Sequence, residues 1–203
     1  MSIVPTSSLT FARFVGSAFR TVFDELAALR ITVFRDFPYL YEGSVDYEKA
    51  YLETYARSER SFLFAVYDGD RMVGATTAIP LRDETPDVQH PFLRAGYDLD
   101  TIFYFGESIL LPAYRGLGLG HRFFDEREAH ARRFGQYTIT CFCAVQRPDD
   151  HPLRPADYQP LDAFWTKRGY QRNPDLQSTF AWPDLNETVS SPKPMVYWMH
   201  KIG

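Results

Sequence analysis

Apolar residues recur along this chain at a helical spacing in some stretches and in short alternating or continuous runs in others. Residues 24–34 carry Leu26, Leu29, Ile31 and Val33 behind an acidic start, which predicts a helix broken by Pro38. Residues 46–57 set Tyr47, Tyr51 and Tyr55 at i, i+4 and i+8, one stripe of a second helix. Strand-like runs follow at 62–67 and 72–79, joined by the hairpin signal Asp68-Gly69-Asp70. Residues 102–111 form a third such run, closed by Pro112. Helical spacing returns over 118–134, with Phe124, Ala131 and Phe134 on the inner face. Residues 137–145, 177–182 and 195–201 read as strands, and 161–168 as a short helix closed by Gly169. An earlier run, 9–14, reads as a first strand.

The stretches between are polar. Residues 81–100 are interrupted by Pro86, Pro91 and Gly96 and read as an excursion without an element of its own. Residues 146–160 hold Pro148, Pro152, Pro155 and Pro160 and read as a loop. Strands and helices in this order predict a mixed sheet flanked by helices, an α/β (α+β) architecture.

Composition narrows the picture. With 203 residues, 45% of them apolar, the chain is long enough to bury a core as a single domain over 1–203. The net charge is −4 and no block of like charge occurs, which argues against a nucleic-acid partner. No apolar run is long enough to span a membrane. Residues 1–23 hold Arg13 and Arg20 and no acid, a composition shared with transit peptides, but no secretory signal. The expected compartment is cytoplasmic. The two cysteines, Cys141 and Cys143, share one face of a strand and match neither zinc spacing nor a disulfide framework, so no metal is expected.

One run carries chemistry more directly than the rest. Arg115-Gly116-Leu117-Gly118-Leu119-Gly120-His121 lies between a strand-like and a helix-like stretch. Glycines at every second position leave backbone N–H groups uncovered and permit a sharp turn. A helix starting there aims free N–H groups and its positive dipole end at one spot, which suits phosphate. No lysine follows, so the run is not a Walker loop, and Gln136 stands where a Rossmann fingerprint needs an acid. A tight strand–helix turn without a ligand is the plainer alternative.

Arg115-x-x-Gly118-x-Gly120, after Leu110-Leu111-Pro112-Ala113-Tyr114, resembles the acyl-CoA signature of the GNAT N-acetyltransferase superfamily. Leu161-Asp162-Ala163-Phe164-Trp165-Thr166-Lys167-Arg168-Gly169-Tyr170 resembles that family's late helix followed by Gly-aromatic. The resemblance extends over roughly residues 9–201. It implies a twisted, mixed, mostly antiparallel central sheet, splayed between the strands at 102–111 and 137–145. It implies acetyl-CoA as cosubstrate, its pantetheine arm bonded to backbone at Leu110 like an added strand. Leu110, Leu111, Arg115, Gly116, Leu117, Gly118, Leu119, Gly120 and His121 are then the cofactor-binding positions.

Acetyl transfer to an amine needs a base, and Glu107 is the candidate because it stands in an otherwise apolar strand. Gly106 before it hints at a bulge or a close backbone approach. The alternative is a Glu107 that faces solvent or pairs with an arginine. The resemblance assigns the acyl oxygen's donor to a backbone N–H near Leu110. The family often places tyrosine in the late helix, where this chain has Trp165; Tyr158 is the candidate acid, with Tyr170 also nearby. The family lines its acceptor pocket with the segment between the first two helices, here residues 37–43. Tyr39 and Tyr41 would flank a cationic amine there, and Glu42, Asp98 and Asp100 would attract it. Three functions stay open: an N-acetyltransferase acting on a small-molecule or peptide amine, a non-catalytic acyl-CoA-binding sensor or interaction module, and a nucleotide-phosphate binder of another class, for which ATP or NAD would compete with CoA. A homodimer is expected only from aromatic richness and family habit.

Overall fold

The structure, a computed structural model, describes residues 9–203. Residues 1–8, the first part of the transit-peptide-like stretch, lie outside it. The strands are β1 (Leu9–Val15), β2 (Phe62–Asp68), β3 (Arg71–Pro80), β4 (Ile102–Leu110), β5 (Ile139–Val145), β6 (Gln171–Trp182) and β7 (Ser191–Lys201). They form one sheet in the order β1-β2-β3-β4-β5-β7-β6. Every pairing is antiparallel except that of β4 with β5. The helices are α1 (Phe23–Phe34), α2 (Val45–Arg57), α3 (Pro86–Arg94), α4 (Leu119–Arg132) and α5 (Asp162–Lys167).

The sheet separates two packed layers. Phe103 and Phe105 of β4 meet Phe124, His130 and Phe134 of the α4 layer. Tyr55 of α2 packs with Phe19 on the other face, and both are fully buried. This is the mixed sheet flanked by helices that spacing and resemblance both predict.

Helix α3 is an addition to the prediction, and two prolines explain why. Pro86 opens the helix, where a missing N–H is harmless, but Pro91 lies inside it. Pro91 leaves the carbonyl four residues back, that of Asp87, without its helical donor. Ser178 of β6 donates to that carbonyl instead, at 2.7 Å. Strands β6 and β7 also begin earlier than predicted. Pro192 and Pro194 of β7 lie past its last pair with β5, Val145 with Met195, so their missing N–H groups break no ladder bond to β5.

Strand β4 is irregular on both of its edges. Its parallel pairing with β5 covers only Ile102 with Ile139, Phe103 with Thr140 and Tyr104 with Cys141. Beyond that seam both strands continue unpaired to each other, and a gap opens between them. On its other edge, β4 pairs Ser108 with Thr76 and Phe105 with Ala78, so Gly106 and Glu107 together oppose Thr77. That is a β-bulge.

Candidate active site

At the mouth of the gap the chain leaves β4 and turns into α4. Gly116 and Gly118 have φ of +80° and +79°, and a Cβ on either would meet nothing within 4 Å among the described residues. The turn therefore needs glycine for its backbone conformation, and it faces open space. Gly120 packs toward Phe164 of α5. Among the described residues no side chain caps the α4 N-terminus, and its first turn holds no acid. Leu119 is buried and Leu117 is packed against the core, while His121 is exposed against the Phe164 ring.

The Leu111 N–H donates to Val73 of β3 at 3.0 Å. Backbone groups alternate along a strand, so the N–H and C=O of Leu110 face the gap. Arg115 Nε approaches that carbonyl at 3.4 Å and its Nη2 approaches Asp36 at 3.6 Å.

The bulge decides where Glu107 points. Strict alternation would put it with Phe103 and Phe105, toward α4. The extra residue turns it to the α1/α2 face, where Arg30 of α1 bridges Glu107 and Glu48 of α2. Glu107 is buried, Arg30 occupies its Oε2, and its Oε1 has no partner among the described residues. A Cβ on Gly106 would lie 2.0 Å from the Tyr55 hydroxyl, so glycine there lets α2 approach the bulge. Tyr55 donates to Glu84, whose carboxyl is pushed up by burial.

The opposite side is assembled from loops. Arg147, just past β5, donates to the carbonyls of Pro38 and Tyr39 and takes both oxygens of Asp184, all at 2.8 Å. Lys193 of β7 approaches Asp184 at 3.2 Å and Glu187 at 2.9 Å. The Tyr39 ring packs against Phe34 and Trp182. Burial raises its pKa, and Cys143, Glu107, Arg30 and Tyr158 all lie close enough to act on it. Tyr41 bridges to Asp184; burial and Glu48 hold its phenol above the usual range. Cys143 of β5 faces the same side, 3.1 Å from the Tyr104 hydroxyl, its thiol pushed up to about 12 by burial.

The sequence from 26 to 154 matches the family model described as acetyltransferase (GNAT) family. The chain belongs to the GNAT acetyltransferase family. Solved GNAT structures share the fold at low identity. An acetyltransferase of the GNAT family from Streptococcus pneumoniae is 13% identical with a TM-score of 0.58, covering 96% of this chain and 99% of that one. YncA of Salmonella typhimurium, solved with its cofactor acetyl-CoA, is 10% identical with a TM-score of 0.56, covering 97% and 95%. The ribosomal-protein-S18-alanine N-acetyltransferase of Escherichia coli is 13% identical with a TM-score of 0.55, covering 96% and 94%. Nothing matches among curated protein sequences.

Other residues considered for this GNAT site fall in several places. The Tyr170 hydroxyl is engaged with Thr140 at 2.8 Å and Glu128 at 3.2 Å, inside the core. Trp165 packs on Phe142 and Trp198. Tyr158 stands edge-on to Phe37, with burial raising its pKa. Glu42 pairs with Arg35. Asp98 and Asp100 lie instead at the start of β4, paired with Arg82, a whole strand away from the glycine turn. Sequence reasoning missed Arg30, Arg127 and Arg147. A signal existed for the first two: Arg30 stands with Leu26 and Val33, and Arg127 with Phe123, Phe124 and Ala131, as cations inside apolar stripes.

Proposed function

We propose that this GNAT protein moves an acetyl group from acetyl-CoA to the primary amine of a small molecule or peptide. The observation that carries the reading is Glu107 Oε1, a buried carboxylate oxygen without a partner among the described residues, on a bulge beside the gap. An alkyl amine with pKa about 10.4 is free base in only about one part in a few thousand at pH 7. Glu107 takes the amine's proton at Oε1, directly or through a water, while Arg30 fixes the carboxylate through Oε2.

The residues fit acetyl-CoA. Gly116 and Gly118 offer an open, uncapped helix N-terminus for its diphosphate, and Leu110 offers strand-edge N–H and C=O groups for its pantetheine amides. Bound there, acetyl-CoA supplies the thioester acyl group and a thiol of pKa about 8.5, a tolerable leaving group without an acid. Tyr158 is the candidate proton donor, standing against Phe37. Tyr39 and Tyr41 shape the acceptor side, with Arg147 holding their loop.

The test is Glu107→Gln, assayed by thiol release over a panel of amines. A fall in kcat of about 10²- to 10⁴-fold with acetyl-CoA binding retained is expected. Unchanged turnover removes Glu107 as base. The engaged Tyr170 and packed Trp165 favour the second reading, an acyl-CoA-binding module without turnover. Binding without thiol release from wild type, on every amine tried, decides for it.

A further inference from the structure

Arg127 of α4 is a buried cation that the proposed chemistry leaves without a task. It is 2% exposed and among the largest fully buried side chains. No carboxylate oxygen lies within 4.0 Å of its nitrogens among the described residues. It faces Tyr170, its helical neighbour Glu128, Glu107 and Tyr55 at longer range. Its guanidinium carbon stands 4.1 Å from the Phe105 ring centre and 4.7 Å from that of Phe124. Burial lowers its pKa to about 10, which still leaves it charged at neutral pH.

A cation held in such a place costs stability, and an apolar side chain of similar length would pack there more cheaply. What Arg127 gains is a pair of backbone contacts. Nε donates to the Phe123 carbonyl of its own helix, and Nη1 donates to the Glu107 carbonyl on the bulge, both at 3.2 Å. The Glu107 carbonyl also takes the Thr76 hydroxyl, at 2.7 Å. The carboxylate end of Glu107 is held on the opposite face of the sheet by Arg30. Glu107 is thus gripped by one arginine at its backbone and another at its side chain.

We infer that Arg127 is a positioning residue: by donating to the Glu107 carbonyl it fixes the β4 bulge that aims the Glu107 carboxylate. Helix α4 begins at the glycine turn and reaches Arg127 eight residues later, about 12 Å along one rigid rod. The anion-binding end and the grip on the bulge therefore belong to one body. A shift at the bulge changes the aim of Glu107 without altering the turn.

The inference rests on the N-acetyltransferase reading for its kinetic arm only. Arg127→Met and Arg127→Lys are compared with wild type in thermal unfolding, acetyl-CoA affinity, kcat, and amide hydrogen exchange at Glu107 and Ser108. For Arg127→Met the expected result is an unfolding temperature at or above wild type and acetyl-CoA affinity within twofold. Its kcat falls at least tenfold, and exchange at the two amides is at least tenfold faster. Arg127→Lys, which keeps the charge, falls between. Should Arg127→Met not fold, a drop in kcat of at least threefold in Arg127→Lys supports the inference, and wild-type kcat overturns it. A folded Arg127→Met with wild-type kcat and wild-type exchange overturns it as well. If wild type itself turns over no amine, the functional reading fails and the exchange arm decides alone: faster exchange supports the grip, unchanged exchange removes it.

Discussion

The two walls of the gap are built from different materials. The wall formed by the end of β4 and the start of α4 is made of backbone: two glycines at positive φ, an uncapped helix terminus and the free edge of Leu110. The facing wall is made of side chains reaching between loops, with Arg147 bonded to Pro38, Tyr39 and Asp184 and Lys193 bonded to Asp184 and Glu187. A backbone site presents the same groups whatever the neighbouring side chains are, which suits a constant ligand. A site tied together by side chains changes shape with one substitution, which suits a variable one.

Removing the central tether should break the contrast most severely. Arg147→Met leaves Asp184 buried with Lys193 alone, and a cost of about 3 kcal/mol is expected. Unfolding measurements check the cost. Kinetics should show a raised KM for the amine and an unchanged KM for acetyl-CoA; equal effects on both would erase the distinction between the walls. On the backbone wall, wild type at a hundred times Kd of acetyl-CoA should gain about 2.7 kcal/mol in thermal unfolding. Gly118→Glu should lose that gain, since it places a charge at the helix terminus and a Cβ at φ +79°. A full shift in the variant would make the glycines a turn and nothing more.

The bulge lies between the walls and tests packing directly. Gly106→Ala puts a methyl within 2.0 Å of the Tyr55 hydroxyl and 2.7 Å of Thr77 Oγ1, and should cost about 2 kcal/mol. Tyr55→Phe removes one of those atoms, so the cost in that background should shrink; an equal cost in both backgrounds would place the clash elsewhere. The smallest effect concerns pH. The Asp184 N–H, Lys193 and Ser191 lower the Glu187 carboxyl to about 2. Its folded pKa lies below the unfolded value, so the stability it contributes is present above about pH 4.3 and is lost as pH falls toward 2. The gap in unfolding temperature between wild type and Glu187→Gln should be open at pH 6 and closed near pH 2.

Legibility in the sequence divides along the same line. The glycine turn and α4 come from residues adjacent in the chain, and so does the β2–β3 hairpin; local spacing revealed them. Glu107 stood out because an acid in an apolar strand is conspicuous. Its partner did not, because Arg30 lies 77 residues away. Helix α3 was hidden for a related reason: two prolines argue against it, and the donor that satisfies Asp87 comes from 91 residues further on. Arg147 reaches back 109 residues to Pro38. Contacts of that separation leave no periodicity for a local pattern to show.

The short seam between β4 and β5 has one more consequence. Among the described residues, three residue pairs are all the backbone ladder that joins the antiparallel group β1–β4 to the antiparallel group β5–β7. A ligand lying along both free edges would add ladder bonds that neither group can offer the other across the gap. Its binding energy would then act as cohesion between halves, beyond holding the protein folded. Binding would tighten the cooperativity of unfolding as well as raise its midpoint, bringing the calorimetric and van't Hoff enthalpies together.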